Sequence, residues 1–448
     1  MEKKIHFPAF FIALLLFCAI LYFPVLEQPD AQKALALLVF VALLWITEAI
    51  PLSLTALLVP VIAVLLQLCS PKEAFKEFAN PVIFLFMGGF VLAGALSRHA
   101  LDKLLAQKLT KLAKGNFYRS SVLLMLATAL VSWWVSNTSC AAIMLPLGLG
   151  MLVLVEKQKV SPESKFLMLG IAYSANIGGI TTLIGSPPNA IGGALLKISF
   201  SEWLMYGVPV FLCTFPLMVI VLTLYFKPDR TLRMIDMKEL PVSSKPLYVL
   251  SAIFSAVVLL WLLEANLAPI FHIADNFSSL VAVIAVFLVF VTGTLTWEEI
   301  LNSIQWEVLL LFGGGLTLGM LIDKSGLGAL MVGQVSELID FIPLIVFLWI
   351  IVLFSILLTE FMSNTASAAL ILPILYTMAT QMQINPMLLV LPATIAATYG
   401  FMMPVGTPPN ALVFSSGYVP QQDMMKAGLV LNITFSIILT AMFYFLFR

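Results

Sequence analysis

Apolar runs of about 17–25 residues recur from one end of the chain to the other, and each matches the hydrocarbon thickness of a lipid bilayer. In lipid every main-chain N–H and C=O must find a partner inside the protein, so runs of this length fold as helices. Of the 448 residues, 61% are hydrophobic and only 10% are charged, too few charges to cover a water-soluble protein of this size. The fold class that follows is an all-α polytopic membrane protein. Formal net charge is zero, so no basic face points to nucleic acid. Cys18, Cys69, Cys140 and Cys213 stand singly with no C-x-x-C spacing, which fits small apolar packing better than a disulfide or a metal centre. His6, His99 and His272 are scattered near segment ends, which argues against histidine-based hydrolysis.

Eleven spans are expected, at 7–26, 34–50, 52–69, 81–97, 166–199, 207–226, 247–264, 278–294, 306–322, 388–417 and 428–447. Two further apolar stretches, 121–155 and 343–380, are each interrupted mid-way by the polar triplet Ser-Asn-Thr, and read as re-entrant hairpins packed into protein. The first run follows Lys3 and Lys4, is long for a signal-peptide core and has no A-x-A site after it, so it reads as a retained helix. This arrangement puts 17 of the 23 Lys and Arg on the side of the amino terminus, Lys103, Lys108, Lys111, Lys157 and Lys238 among them. Lys33, Lys72, Lys76, Lys197, Lys324 and Arg448 fall on the other side. The bias predicts a cytoplasmic amino terminus and an external carboxyl terminus in an inner (plasma) membrane.

The chain also repeats itself. Leu85-Phe86-Met87-Gly88-Gly89 returns as Leu311-Phe312-Gly313-Gly314-Gly315, 226 residues later. Ser136-Asn137-Thr138 returns as Ser363-Asn364-Thr365, and a proline (Pro146, Pro373) follows ten residues after each serine. Gly185-Ser186-Pro187-Pro188-Asn189-Ala190 returns as Gly406-Thr407-Pro408-Pro409-Asn410-Ala411. The stretch 98–119 carries six Lys or Arg, whereas its counterpart after Leu321 carries only Lys324 before Pro343, as expected of copies on opposite faces. We divide the chain into a first helix (1–30), a first inverted repeat (31–246, hairpin 121–155) and a second (247–448, hairpin 343–380). Inverted repeats with broken helices point to alternating access around a site near the midplane.

Each triplet can cap the helix that follows it, satisfying orphan N–H groups, or can present those groups and side chains to a ligand. The small residues after each, Ser139-Cys140-Ala141-Ala142 and Ala366-Ser367-Ala368-Ala369, allow close approach. The Pro-Pro pairs cannot continue a helix, so carbonyls upstream are released, to be met by water and neighbouring Ser and Thr or by a dehydrated Na⁺. Within 128–146, 172–192, 355–373 and 396–414 there is no Lys, Arg, His or Asp, and the only Glu is Glu360. A di-anion there meets no fixed cation, and uncompensated charge at this depth is costly, so helix N-termini and a bound cation must compensate it. Glu360 and Glu48 read more readily as structural partners than as proton carriers.

These duplicated motifs, taken in order over nearly the whole chain, resemble those of the divalent anion/sodium symporter family, which includes the INDY-type dicarboxylate transporters. The resemblance implies a homodimer in which a transport part moves against a scaffold part like an elevator, with Na⁺ as the co-transported ion. It implies one sodium site at Ser132, Ser136, Asn137 and Gly185, and a second at Thr359, Ser363, Asn364 and Gly406. Substrate carboxylates are then met by Ser136, Asn137, Thr138, Ser363, Asn364 and Thr365, with Ser186, Thr407 and Pro408 nearby. Exchangers of the family are expected to place a basic residue near a cation site, and none stands here, which favours symport. The leading expectation is sodium-coupled uptake of C4-dicarboxylates such as succinate, malate and fumarate, with sulfate or citrate symport, or dicarboxylate exchange, as rivals on the same fold. A membrane hydrolase using Ser136 or Ser363 lacks a base within its motif, and a channel lacks a ring of like charges. The chain is not expected to be an enzyme.

Overall fold

Prolines open seven of the helices, among them Pro29–Thr47, Pro81–Arg98, Pro162–Gly179, Pro187–Leu196 and Pro408–Ser415, where a missing N–H costs nothing because the first turn has no acceptor for it. The computed structural model describes residues 6–23, 25–99, 112–155, 159–234, 245–273, 275–339 and 342–447. Among them the regular structure is helix, joined by turns and loops, with one isolated bridge between Asn116 and Arg233. Each expected span falls on a helix or a broken helix. Six described helices are long and apolar enough to cross a bilayer, or seven if Tyr248–Leu262 and Glu264–Ile270, bent by 82°, form one span. Phe7–Tyr22, Leu52–Leu65 and Phe277–Val291 are shorter apolar helices, so length alone does not yield eleven crossings. Much of the basic stretch 98–119, together with Lys3, Lys4, Lys157, Lys238 and Arg448, lies outside the described residues.

Both expected hairpins are helix pairs that turn at the triplet. Phe117–Ser132 and Asn137–Val153 form the first, Leu344–Phe361 and Asn364–Gln381 the second. At eighteen residues Leu344–Phe361 is itself long enough to cross. The span expected at 166–199 divides into Pro162–Gly179 and Pro187–Leu196, and that at 388–417 into Pro386–Ala396 and Pro408–Ser415. In each, the first proline of the pair begins the second half-helix.

Packing ties each repeat to the other. A Cβ on Gly88 would lie 2.6 Å from the Ala282 carbonyl oxygen, and one on Gly314 would lie 2.7 Å from that of Ala56. Gly88 and Gly314 are 226 residues apart, and so are Ala56 and Ala282. The glycine blocks are therefore two equivalent places where helices of opposite repeats cross backbone to backbone. Phe86 meets its own counterpart, Phe312, edge to face at 5.2 Å. Arg98 pairs with Glu299 at 2.9 Å, and its counterpart Lys324 pairs with Glu73, the counterpart of Glu299, at 3.1 Å. When i meets j and the copy of j meets the copy of i, the halves are related by a two-fold operation, and residues near its axis touch their own copies.

Candidate functional site

The hairpin tips and helix breaks meet in two similar oxygen clusters. In the first, Ser132 Oγ lies 2.9 Å from Asn137 Oδ1 and 2.6 Å from the Ala175 carbonyl oxygen. In the second, Thr359 Oγ1 lies 2.7 Å from Asn364 Oδ1 and 2.8 Å from the Ala397 carbonyl oxygen. A hydroxyl has one proton and can donate it to only one of two acceptors at full strength. Each cluster therefore holds oxygens at hydrogen-bond distance with one proton too few.

Two arrangements relieve the first cluster. Rotating the Asn137 amide would let its nitrogen donate to Ser132 Oγ at 2.9 Å, Ala175 O at 3.1 Å and Gly185 O at 3.2 Å. The rotation also discards the contact of Asn137 Nδ2 with Asn176 Oδ1 at 3.5 Å and turns two amide oxygens toward each other. Asn176 is held in place, because its Nδ2 donates to Thr407 Oγ1 at 3.0 Å. The alternative keeps Asn137 Oδ1 inward and sets a cation among four oxygens. Neutral hydroxyl, amide and main-chain oxygens are the ligand type that a hard cation such as Na⁺ takes, and a bound ion would spread them apart from the hydrogen-bond distances they now hold. The residues fit such an ion, and no carboxylate or thiolate among them would favour a transition metal.

Glycines make the clusters possible. A Cβ on Gly179 would fall 2.1 Å from Asn137 Oδ1. A Cβ on Gly400, its counterpart, would lie 3.3 Å from the main-chain oxygen of Thr359 and 3.4 Å from that of Gly406. The carbonyls released by the breaks do not all remain free. Asn189 Nδ2 takes those of Gly179 and Thr182 at 2.8 and 2.7 Å, and Asn410 Nδ2 takes those of Gly400 and Met403 at 2.8 and 3.1 Å. Trp203 Nε1 takes that of Ile180 at 3.0 Å. The asparagine of each Pro-Pro-Asn thus ties its helix break shut and leaves other oxygens facing the cluster.

Of the residues expected to bind cations, Ser132, Asn137 and Gly185 converge in one cluster, and Thr359 and Asn364 in the other, with Gly406 beside Glu360. Ser136 and Ser363 turn their hydroxyls to capping, accepting from Ser139 N at 3.3 Å and Ala366 N at 3.2 Å. Thr138 and Pro408 are exposed, Thr365 is half-buried, and Ser186 and Thr407 are buried. Thr407 caps Pro408–Ser415 by accepting from Asn410 N, whereas the buried hydroxyl of Ser186 has no partner. The chain Asn137–Asn176–Thr407 joins the first tip to the second repeat's Pro-Pro motif. The half-helices are exchanged too: Pro187–Leu196 packs on Asn364–Gln381, and Pro408–Ser415 on Asn137–Val153. Ala175, Gly179, Ala397 and Gly400 also build the clusters and escaped inspection of the sequence, because main-chain oxygens and absent Cβ atoms leave no signature in a side chain; Asn176 escaped it because the partners of its amide lie far away in the chain.

The sequence profile of a family described as citrate transporter matches residues 42–394. An uncharacterized transporter of Haemophilus influenzae is 42% identical over 426 residues, covering 93% of this chain and 92% of the relative. The sodium-dependent dicarboxylate transporter SdcS of Staphylococcus saprophyticus is 34% identical over 461 residues, covering 94% of this chain and 88% of the relative. The chain belongs to the divalent anion/sodium symporter family. It is a multi-pass membrane transporter and not an enzyme. The fold agrees with that placement: the YdaH transporter of Alcanivorax borkumensis superposes with a TM-score of 0.58 at 14% identity, over 83% of this chain and 86% of that one.

Proposed function

We propose that this transporter carries C4-dicarboxylates such as succinate, malate and fumarate together with Na⁺. The observation that carries the proposal is the pair of matching oxygen clusters, one in each repeat, in which a buried hydroxyl faces both an asparagine amide and a main-chain carbonyl oxygen. A cation in each cluster supplies positive charge beside a tip whose helix N-terminus already favours an anion. Two such tips, from Asn137 and Asn364 onward, suit a ligand with a carboxylate at each end. Ser136, Thr138, Ser363 and Thr365 flank those tips, with Ser186, Thr407 and Pro408 on the facing half-helices. The similarity to SdcS, a sodium-dependent dicarboxylate transporter, supports this reading.

In the proposed cycle the two hairpins and the two broken helices form a transport part that slides as a body against a scaffold, within a homodimer. The amino terminus faces the cytoplasm of a cell whose plasma membrane carries an inward sodium gradient. The hairpins enter from opposite leaflets, and 31–246 and 247–448 are the two inverted copies. The purified protein, reconstituted into liposomes, is expected to accumulate labelled succinate under an inward Na⁺ gradient. Equal uptake with K⁺ or choline in place of Na⁺ would defeat the coupling. The family profile is described by citrate, so competition by citrate and sulfate decides between a four-carbon substrate and those rivals.

A further inference from the structure

The two clusters are built alike and backed differently. Behind the first, Trp133 follows Ser132, and its ring meets Phe211 edge-on at 5.4 Å. Behind the second, Glu360 follows Thr359 and accepts from Asn432 Nδ2 at 2.6 Å. These pairs occupy equivalent places. Ser132 and Thr359 stand at the same point of their clusters, and Phe211 and Asn432 stand at the same point of the equal 27-residue helices Phe200–Phe226 and Gln421–Phe447. An aromatic pair in one repeat has thus become a carboxylate and an amide in the other.

Glu360 is 1% exposed, and its carboxylate also accepts from Met402 N and Met403 N, both at 2.8 Å. All three donors are amides, and among the described residues no Lys, Arg or His forms an ion pair with it. The carboxylate follows Thr359 directly in the chain and lies beside Gly406, the glycine that the family resemblance places in the second cation site, since a Cβ on Gly406 would lie 2.9 Å from Glu360 Oε2. Three N–H donors and, among the described residues, no acceptor face this carboxylate, an environment that suits its ionised form, and a buried anion without a fixed counter-charge is costly at membrane depth unless a cation occupies the site beside it.

We propose that the two cation sites are unequal: Glu360 makes the site at the second hairpin the tighter one, and it fills first. This rests on the sodium-coupled reading above. One full charge beside a monovalent cation site, at an effective dielectric of about 20, changes the affinity for the cation by roughly ten- to a hundredfold. The first site has only oxygen dipoles and an aromatic pair behind them, so it fills at higher sodium. Glu360 acts through its field and is a positioning residue; it touches neither ion nor substrate in this scheme.

The test is a sodium titration of succinate uptake in proteoliposomes, comparing wild type with Glu360→Gln. The half-saturating sodium concentration is expected to rise about tenfold or more, while the succinate KM at saturating sodium stays within about twofold. A Glu360→Gln protein that transports with an unchanged sodium requirement overturns the proposal. If that variant does not reach the membrane, Ser132→Ala and Thr359→Ala decide, read by sodium-induced thermal stabilisation of purified protein without succinate. Wild type is expected to show a low-sodium and a high-sodium phase, with the low-sodium phase lost in Thr359→Ala and kept in Ser132→Ala. The reverse pattern, or a single phase in wild type, overturns the inequality. Uptake by wild type that ignores sodium altogether defeats the functional reading itself, a result distinct from either.

Discussion

An asparagine amide presents an oxygen on one edge and two protons on the other, so a half turn converts a cation ligand into a hydrogen-bond donor. Asn137 stands at that choice, and Asn176, fixed by Thr407, biases it toward the oxygen. Replacing Asn137 or Asn364 by alanine removes the amide oxygen from its cluster. Each change is expected to lower succinate uptake by about tenfold or more at subsaturating sodium, with normal amounts of protein in the membrane. Normal uptake by both variants would remove the tips from the mechanism. Asn189→Leu and Asn410→Leu free two carbonyls each and loosen the break that holds the cluster. Loss of such outer contacts typically costs about 10–100-fold in metal affinity, so the half-saturating sodium concentration should rise by a factor in that range. The tips could be read from sequence because Ser-Asn-Thr is a polar interruption in an apolar run. Ala175 and Ala397 could not, since any residue offers the same main-chain oxygen. Nor could Asn176, whose partner Thr407 is 231 residues away.

Helix pairs carry the relation between the repeats, and they can be tested as pairs. Valine at Gly88 or at Gly314 would drive a side chain into the backbone of Ala282 or Ala56. Overpacking of this kind costs about 1–3 kcal/mol, and because the contacts are reciprocal, the two variants should lower thermal stability in detergent by similar amounts. A large effect from one and none from the other would break the equivalence. The ion pairs at the ends of these helices are exposed and contribute little at neutral pH. Glu299 nevertheless has a depressed pKa, first because the Thr296 N–H bonds to it and then because of the Arg98 guanidinium. A carboxyl depressed in the folded state adds stability above its ordinary pKa of about 4.3, and that stability is lost as pH falls through the lower folded value. Thermal unfolding followed through acid should therefore show Glu299→Gln converging on wild type at low pH. The glycine blocks were visible as a repeat, but their purpose was not, because a crossing involves two helices and each block displays only one.

At the scale of the whole molecule, orientation is the open quantity that sequence charge addresses directly. With the native cysteines replaced, a cysteine introduced at position 448 should react with an impermeant maleimide added to intact cells. One at position 3 should react only after the membrane is opened. The opposite labelling would invert the proposed topology and the direction in which each hairpin enters. The existence of two copies was legible from three motifs in the same order. The way they lock together was not: Phe86 facing Phe312, and the exchanged partners of Arg98 and Lys324, emerge only when both copies are folded.

That exchange bears on how the protein is made. A ribosome releases the first half while the surfaces that Gly88, Glu73 and Asn137–Val153 will meet are still untranslated. The early helices can enter the bilayer one by one, but they cannot settle until the late ones arrive. A polypeptide cut at the midpoint would leave its half-helices without the grooves they occupy in the complete chain. Supplying the missing half from a second gene is the way such a fragment should regain its shape, because every broken contact is one that the other fragment supplies.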